Sequence, residues 1–356
     1  MIVGRVAQLA ALDLAVEAAE GGRSTATLLV GDPGMGATTL LQHTRDEARR
    51  RRFRTAAASA PDSGNEVPFA LVHDLLTSLL AGRHRTLPAH ETQAAALEPA
   101  HRTPGAMSTA LLDVLVDVAR RRPVLVTLDN LQWADEESAA TIAIIARRLV
   151  DQPVSLVAAT RPPVPDRYVT WTPVELPPMG VDDALRLLRQ VADGPVDEWA
   201  GSAAVRAWGG NPSAIVTCHR LLTTDQLAGR LPLPDPAPVS DQVRCTWSSV
   251  VASLPIGARR AVEALCVLDT SRIDLVSTVL ADVGCSLADV DTARATGLVT
   301  TGAHGAPAVT SPLVRAAVLS SAPRDRVRAV HRVVAQVAAA RGAPPSIVIS
   351  HPVSYT

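Results

Sequence analysis

ATLLVGDPGMGATT, residues 26–39, joins an apolar run of strand length to a glycine-rich turn. Residues 31–38 follow the pattern G-x-x-x-x-G-x-T, and the next stretch, LLQHTRDEARRRR, is rich in helix-forming residues. A strand, a glycine loop and a helix in this order predict a phosphate-binding loop, or P-loop. In such a loop, backbone N–H groups converge on an anion at the positive end of the helix.

The glycines of the loop and the threonine behind them are expected to have separate tasks. Gly31, Gly34 and Gly36 allow backbone conformations that are closed to residues with a Cβ. Thr38 is expected to offer its hydroxyl to Mg²⁺. Between them, Ala37 occupies the position at which a P-loop has its lysine, and all 34 Lys and Arg residues of the chain are arginine. The sequence therefore predicts a phosphate cradle without its fixed cation.

A second informative stretch, PVLVTLDNLQWADEES, covers residues 123–138. Its apolar run, Val124 to Leu128, is typical of a parallel strand buried on both faces. Asp129 follows at the carboxyl end, where open α/β sheets bind their ligands, so Asp129 and Thr38 are the predicted Mg²⁺ ligands. The next residue, Asn130, stands where a carboxylate would activate the attacking water, and an amide cannot accept that proton.

Composition excludes several classes of protein. A net charge of −1 gives no signal for binding polyanions, and 47% apolar with 19% charged residues is typical of a globular protein. No segment approaches the ~18 apolar residues of a membrane span, and the N-terminus is predicted to be an amphipathic helix, so we expect a cytoplasmic protein. The cysteines lack metal-ligand spacing and are interpreted as buried free thiols: Cys218, Cys245, Cys266 and Cys285. Four tryptophans are interpreted as packing residues: Trp133, Trp199, Trp208 and Trp247.

The predicted fold class is α/β, with a P-loop NTPase parallel sheet followed by a helical lid and a winged-helix domain. Strands and helices alternate through the N-terminal half, which specifies a doubly wound sheet. Residues 83–105 are predicted to be an irregular connection, with the next helix beginning at Ser108. The predicted domains are a nucleotide-binding domain (1–176), a helical lid (177–230), a proline-rich linker (231–240), a winged helix containing a short glycine-rich hairpin (241–341) and a tail (342–356).

Further motifs frame these two stretches: VGR at 3–5, PFALVHDLL at 68–76, ATRP at 159–162, GGNP at 209–212 and SPLVRAAVLSSAP at 311–323. With these motifs, the chain resembles the ATPase region of the large ATP-binding LuxR-type transcriptional regulators of actinobacteria. That family belongs to the signal-transducing (STAND) branch of the AAA+ ATPases. LQWAD followed by GGNP is the specific part of the resemblance.

The resemblance implies ATP or ADP with Mg²⁺, held between the sheet domain, the lid and the winged helix. ADP would hold a closed state, and ATP would permit an open, often oligomeric one. Arg161 would sense the γ-phosphate, and Pro212 would pack on the base. The implied nucleotide-binding residues are Gly4 and Arg5 near the adenine, Gly31, Gly34, Gly36, Ala37, Thr38, Thr39, Pro212 and Ser311.

The departures from the family concern the phosphate end. The P-loop lysine is Ala37, the catalytic acid is Asn130, and the winged-helix histidine is Ser311. Family members are usually longer and carry a C-terminal helix-turn-helix that reads DNA, whereas this chain stops after the winged helix. In this family the winged helix generally packs on the nucleotide, and its charge here is not strongly basic, so we expect no direct sequence-specific DNA binding.

Three functions are compatible with this pattern. The first is a nucleotide-responsive regulator that binds nucleotide weakly and has little or no turnover. The second is a pseudo-ATPase that serves as an interaction module for a protein partner or a second copy. The third is a biosynthetic enzyme that uses the interdomain cleft for a non-nucleotide substrate, and for it we find no catalytic set with informative spacing.

Overall fold

The computed structural model describes residues 2–61, 67–81, 103–268, 273–302 and 305–341. The chain divides into two compact units, unit 1 (Met1–Pro177) and unit 2 (Pro178–Thr356). Most of the connection predicted at residues 83–105 and the whole tail predicted at 342–356 lie outside the described residues. Among the described helices, none combines the length and apolarity needed to cross a membrane.

Unit 1 alternates strands with helices, as the sequence predicts. Its described loops contain two short 3₁₀ helices, Leu131–Trp133 and Asp166–Tyr168. Its main elements are α1 (Val6–Glu20), β1 (Thr25–Val30), α2 (Ala37–Arg50), β2 (Arg54–Ser59), α3 (Ala70–Leu80), α4 (Pro104–Ala119), β3 (Val124–Asp129), α5 (Glu136–Arg148), β4 (Val154–Thr160) and β5 (Thr172–Glu175).

The five strands of unit 1 form one parallel sheet in the order β2-β3-β4-β1-β5. The predicted α/β fold with a parallel sheet is therefore confirmed. Because all strands run in the same direction, their carboxyl ends meet at one edge. Val30, at the end of β1, lies opposite Thr160 of β4 and Glu175 of β5. The glycine loop after β1 and Asp129 at the end of β3 consequently lie along the same edge of the sheet.

Successive residues of the strands face two different cores. On β1, Leu28 and Val30 belong to a core shared with α3, α4 and α5. Leu29, between them, belongs to a second core shared with α1 and α2. Side chains alternate between the faces of a strand, so a strand covered by helices on both faces must be apolar throughout. The continuous runs in the sequence are thereby explained.

The described residues of unit 2 are helical or irregular apart from one antiparallel strand pair. The predicted glycine-rich hairpin is confirmed, with Val299 opposite Val309. A 3₁₀ helix, His219–Leu221, follows its third helix. The main elements are α6 (Val181–Val191), α7 (Glu198–Ala207), α8 (Pro212–Cys218), α9 (Thr224–Leu227), α10 (Asp241–Ser253), α11 (Ile256–Leu268), α12 (Ile273–Asp282), α13 (Leu287–Ala295), β6 (Val299–Thr301), β7 (Pro307–Val309), α14 (Pro312–Ser321) and α15 (Arg324–Ala340).

Three local predictions are wrong. Helix α4 begins at Pro104 rather than Ser108, because the Thr103 hydroxyl caps it and proline is favourable in the first turn. Trp199 is 76% exposed on α7 and is not a packing residue. The cysteines are free, as predicted, but Cys245 is exposed and Cys285 is half-buried, so burial is right for two of the four.

Candidate functional site

The glycine loop joins β1 to α2 through left-handed backbone conformations. Gly34 has a φ of 84° and Gly36 a φ of 94°, both in the region that favours glycine. In the described part of the chain, the N–H groups of Gly34 and Gly36 and of residues 37–39 donate to no protein acceptor. At the N-terminus of α2 the loop therefore presents several backbone N–H groups without an acceptor among the described residues, which is the arrangement that suits an anion.

Gly31 is required for a different reason. Its N–H donates to the Thr160 carbonyl at 3.2 Å, which ties the start of the loop to β4. A Cβ added to Gly31 would lie 2.7 Å from the Cβ of Leu176, closer than any ordinary contact. The loop is thus packed directly against the chain that leaves β5.

The two predicted metal ligands are in contact. The Thr38 hydroxyl, in the first turn of α2, donates to Asp129 Oδ2 at 2.7 Å. The other carboxylate oxygen of Asp129 accepts the Asn130 N–H at 2.9 Å. A hydroxyl and a carboxylate oxygen side by side at the carboxyl edge of the sheet are ligands suited to Mg²⁺.

Asn130 adopts a left-handed conformation, with a φ of 58°. Asparagine tolerates this region better than most residues. Its side-chain NH₂ donates to Ser59 Oγ at 3.4 Å and to the Ala60 carbonyl at 3.5 Å, while its Oδ1 accepts from Gln132 at 3.3 Å. The amide is therefore held against the end of β2 by weak hydrogen bonds.

Arg161 lies at the end of β4, with its guanidinium carbon 4.4 Å from the ring centroid of Trp133. This is a cation–π contact. Trp133 is in the 3₁₀ helix that follows Asn130, and it also packs on the core of the sheet. The sequence predicts only a packing role for Trp133, because spacing gives no signal for its contact with Arg161.

Arg5 is 5% exposed and contacts the loop from behind. Its Nη2 donates to the Met35 carbonyl at 2.9 Å, and its Nη1 donates to the Pro177 carbonyl at 2.8 Å. The preceding Gly4 has a φ of 65°, which allows the chain to turn into α1. The sequence motif VGR marks this position, but only the structure gives the acceptors of the guanidinium.

The remaining predicted site residues belong to unit 2. Pro212 occupies the first position of α8 behind the Asn211 cap, and the Ser311 hydroxyl caps α14 by accepting the Val314 N–H at 3.3 Å. A Cβ added to Gly209 would lie 3.7 Å from the Ser311 Cβ. Within unit 2, therefore, the GGNP motif and Ser311 are neighbours.

Comparisons with known proteins show what this chain is similar to. The AAA ATPase domain family matches residues 2–157, which is less than half of the 356-residue chain. An uncharacterized protein of Rhizobium meliloti (strain 1021) is 27% identical over 177 residues, covering 40% of this chain and 16% of that protein. The chain thus spans a small part of the curated relative that it matches.

Three of the solved structures to which the chain is similar illustrate the range of these matches. RuvB of Thermotoga maritima is 14% identical with a TM-score of 0.44, covering 86% of this chain and 92% of that chain. A structure of Drosophila ORC bound to DNA is 11% identical with a TM-score of 0.46, covering 90% and 87%. A STAND protein with a tetratricopeptide repeat sensor from Pyrococcus horikoshii is 11% identical with a TM-score of 0.37, covering 95% and 46%.

A parallel sheet whose first strand leads into a glycine loop is a P-loop NTPase fold. Residues 2–157, which contain this arrangement, match the AAA ATPase domain family.

Proposed function

We propose that this chain is a nucleotide-responsive regulatory protein that binds ATP or ADP weakly and hydrolyses ATP little or not at all. The proposal rests on which phosphate-binding groups the loop and the adjacent strand end keep and which they lack. The N–H groups of the loop and the Thr38–Asp129 pair are in place for phosphate and Mg²⁺, whereas Ala37 and Asn130 lack the charged groups that grip and cut a triphosphate.

The magnitudes favour binding over catalysis. Loss of one charge-assisted contact costs ~1.5–3 kcal/mol, which is about ten- to hundred-fold in affinity. Loss of one preorganised donor to a transition state costs about 10²- to 10³-fold in rate. Without a carboxylate at Asn130 the attacking water also loses its base. Weak binding therefore survives changes that stop turnover.

We further propose that the chain is a member of the STAND branch related to LuxR-type ATP-binding regulators. In that assignment unit 2 contains a helical lid, a linker and a winged helix, and Gly4, Arg5 and Arg161 of unit 1 contact the nucleotide. We propose that the winged helix does not bind DNA in a sequence-specific way. Helix α13, before the hairpin, carries two acidic residues, Asp289 and Asp291, and one basic residue, Arg294. Its surface is therefore not basic, whereas proteins bind the phosphate backbone of DNA through basic surfaces.

A second candidate, a pseudo-ATPase that acts as an interaction module, is supported by one observation. Trp199 presents 76% of its surface to solvent on α7. Exposed tryptophans are enriched among residues that anchor protein interfaces. Under this function a protein partner or a second copy covers Trp199, and nucleotide is dispensable.

Calorimetric titration with ATP and ADP, each with and without Mg²⁺, tests the first proposal. We expect measurable heats at millimolar nucleotide, a dependence on Mg²⁺, and no phosphate release. Thr38→Val should abolish the Mg²⁺ dependence, because it removes the hydroxyl paired with Asp129. Thr109→Val, the same change on the exposed face of α4, is the matched control and should bind like the wild type. The absence of any heat from the wild type would reject the proposal.

A further inference from the structure

Arg5 places a buried positive charge behind the phosphate loop. The side chain is 5% exposed, and one of its nitrogens donates to the Met35 carbonyl at 2.9 Å, inside the glycine loop. Burial of a guanidinium costs free energy unless good acceptors repay it. Here a carbonyl of the loop itself is one of the acceptors, so the loop and the buried cation stabilise one another.

The hydrogen bond from Arg5 to the Met35 carbonyl affects the Gly36 N–H on the opposite side of the loop. The Met35 carbonyl and the Gly36 N–H are the two ends of one planar trans peptide, and they point in opposite directions. A cation on the carbonyl draws electron density toward the oxygen and makes the N–H at the other end a stronger donor, as in any chain of cooperative hydrogen bonds. The Gly36 N–H is one of the loop donors without an acceptor in the described residues.

We propose that Arg5 is a positioning residue of the phosphate site, which rests on the proposed binding of nucleotide. It fixes and polarises the Met35–Gly36 peptide, so that positive charge reaches the bound phosphate through the peptide instead of by direct contact. The chain has no lysine in its P-loop, since Ala37 stands there. Arg5 supplies part of that missing charge from behind.

This role differs from the one implied by the family resemblance, in which Arg5 lies near the adenine. A residue that serves the adenine affects nucleotides only. A residue that polarises the loop affects every ligand with a phosphate, including one that has no base. Pyrophosphate and ADP together therefore separate the two roles.

The experiment titrates pyrophosphate and ADP, with Mg²⁺, into the full chain and three variants. Arg5→Gln removes the charge, and we expect it to weaken both ligands by the same factor, about five- to thirty-fold. Arg5→Lys keeps a charge on a shorter side chain without the guanidinium fork, and should weaken both by about two- to five-fold. The control is Gln8→Ala: Gln8 lies one turn along α1, and its side chain donates to the Glu175 carbonyl at the end of β5. It should bind both ligands like the wild type.

A spectroscopic measurement on the free proteins supplements the titrations. With the cation removed from Met35, the Gly36 amide proton in Arg5→Gln should shift upfield, whereas it should keep its position in Gln8→Ala. Thermal unfolding monitored by circular dichroism shows which variants are folded. If Arg5→Gln does not fold, the test passes to Arg5→Lys, and pyrophosphate binding as tight as in the wild type then overturns the proposal.

The remaining outcomes are distinct. Arg5→Gln that binds both ligands like the wild type overturns the role of Arg5 alone and leaves nucleotide binding standing. If Arg5→Gln binds ADP more weakly but binds pyrophosphate like the wild type, Arg5 serves the adenine end, and the proposed role is also overturned. A wild-type chain that binds neither ligand overturns both proposals.

Discussion

Ala37 leaves a methyl group at the position where a cation would face the outer phosphates. Ala37→Lys supplies that cation on the first residue of α2, beside the free N–H groups of the loop. We expect affinity for Mg-ATP to rise about ten- to hundred-fold, which is the worth of one charge-assisted contact. Calorimetry measures the change, and Ala37→Met, with a side chain of similar length and no charge, should bind like the wild type.

Ala37→Lys alone should not restore hydrolysis, because Asn130 cannot act as a base. Asn130→Asp added to Ala37→Lys restores a carboxylate, and aspartate also tolerates the left-handed conformation of this position. Phosphate release by the double variant, and none by either single variant, is the expected pattern. Release by Ala37→Lys alone would show that the base lies elsewhere.

Tyr168 carries a buried hydroxyl that has no partner within the described residues. Burial raises the pKa of Tyr168 from 10.0 to about 12. In the unfolded chain the phenol ionises near pH 10, so its contribution to stability is complete below pH 10 and is lost as the pH rises from 10 to 12. The loss is about 2–3 kcal/mol.

Tyr168→Phe should remove this alkaline loss and leave stability at pH 7 unchanged or raised by about 1 kcal/mol, because the orphaned hydroxyl disappears. The edge-to-face contact with Trp171, at 5.7 Å between ring centroids, is available to phenylalanine as well. Urea unfolding at pH 8, 10 and 11.5 measures both effects. Equal alkaline losses in the two proteins would contradict this assignment.

Part of the site could be predicted at the level of residues. Thr38 and Asp129 follow two parallel strands, so their proximity could be expected from the pattern of apolar runs. The contacts of Arg5 with Met35 and of Arg161 with Trp133 could not. Each depends on where a long side chain turns after its backbone is placed, and neither composition nor spacing carries that information.

Gly31 shows how tightly the elements around the loop are packed. Gly31→Ala should destabilise the protein by about 1–3 kcal/mol, because its Cβ would lie 2.7 Å from that of Leu176. Gly105→Ala is the matched control: Gly105 lies in α4, and a Cβ there meets nothing within 4 Å. That substitution should raise stability by up to about 1 kcal/mol, as alanine does in helices. Urea unfolding measures the free energy of unfolding of both variants, and equal stabilities would contradict this prediction.

The helices and strands themselves were largely predictable, but which strands lie next to one another in the sheet was not. Apolar runs of strand length between amphipathic helices specify a buried parallel sheet, because only such strands are covered on both faces. The order β2-β3-β4-β1-β5 depends on contacts between strands far apart in sequence. Exposure of single residues also escaped prediction: Trp199 lies on a short helix whose outward face the pattern does not reveal.

The whole molecule consists of two units with separate cores. The cores of unit 1 are built around its sheet, and a third core unites α11, α12, α13, α14 and α15 of unit 2. Units with their own cores are able to fold alone. We expect the fragment Met1–Pro177 to unfold cooperatively in urea and to bind pyrophosphate as tightly as the full chain. A fragment that lacks a cooperative transition would show that unit 1 depends on unit 2.

Arg5 holds two carbonyls at once, Met35 in the loop and Pro177. Pro177 is the last residue of unit 1, so this guanidinium is attached at the point where the chain leaves that unit. Any movement of the Met35 carbonyl must be shared by Pro177 or must break a charge-assisted hydrogen bond. The Arg5 guanidinium thus links the Met35 carbonyl of the loop to the last residue of unit 1.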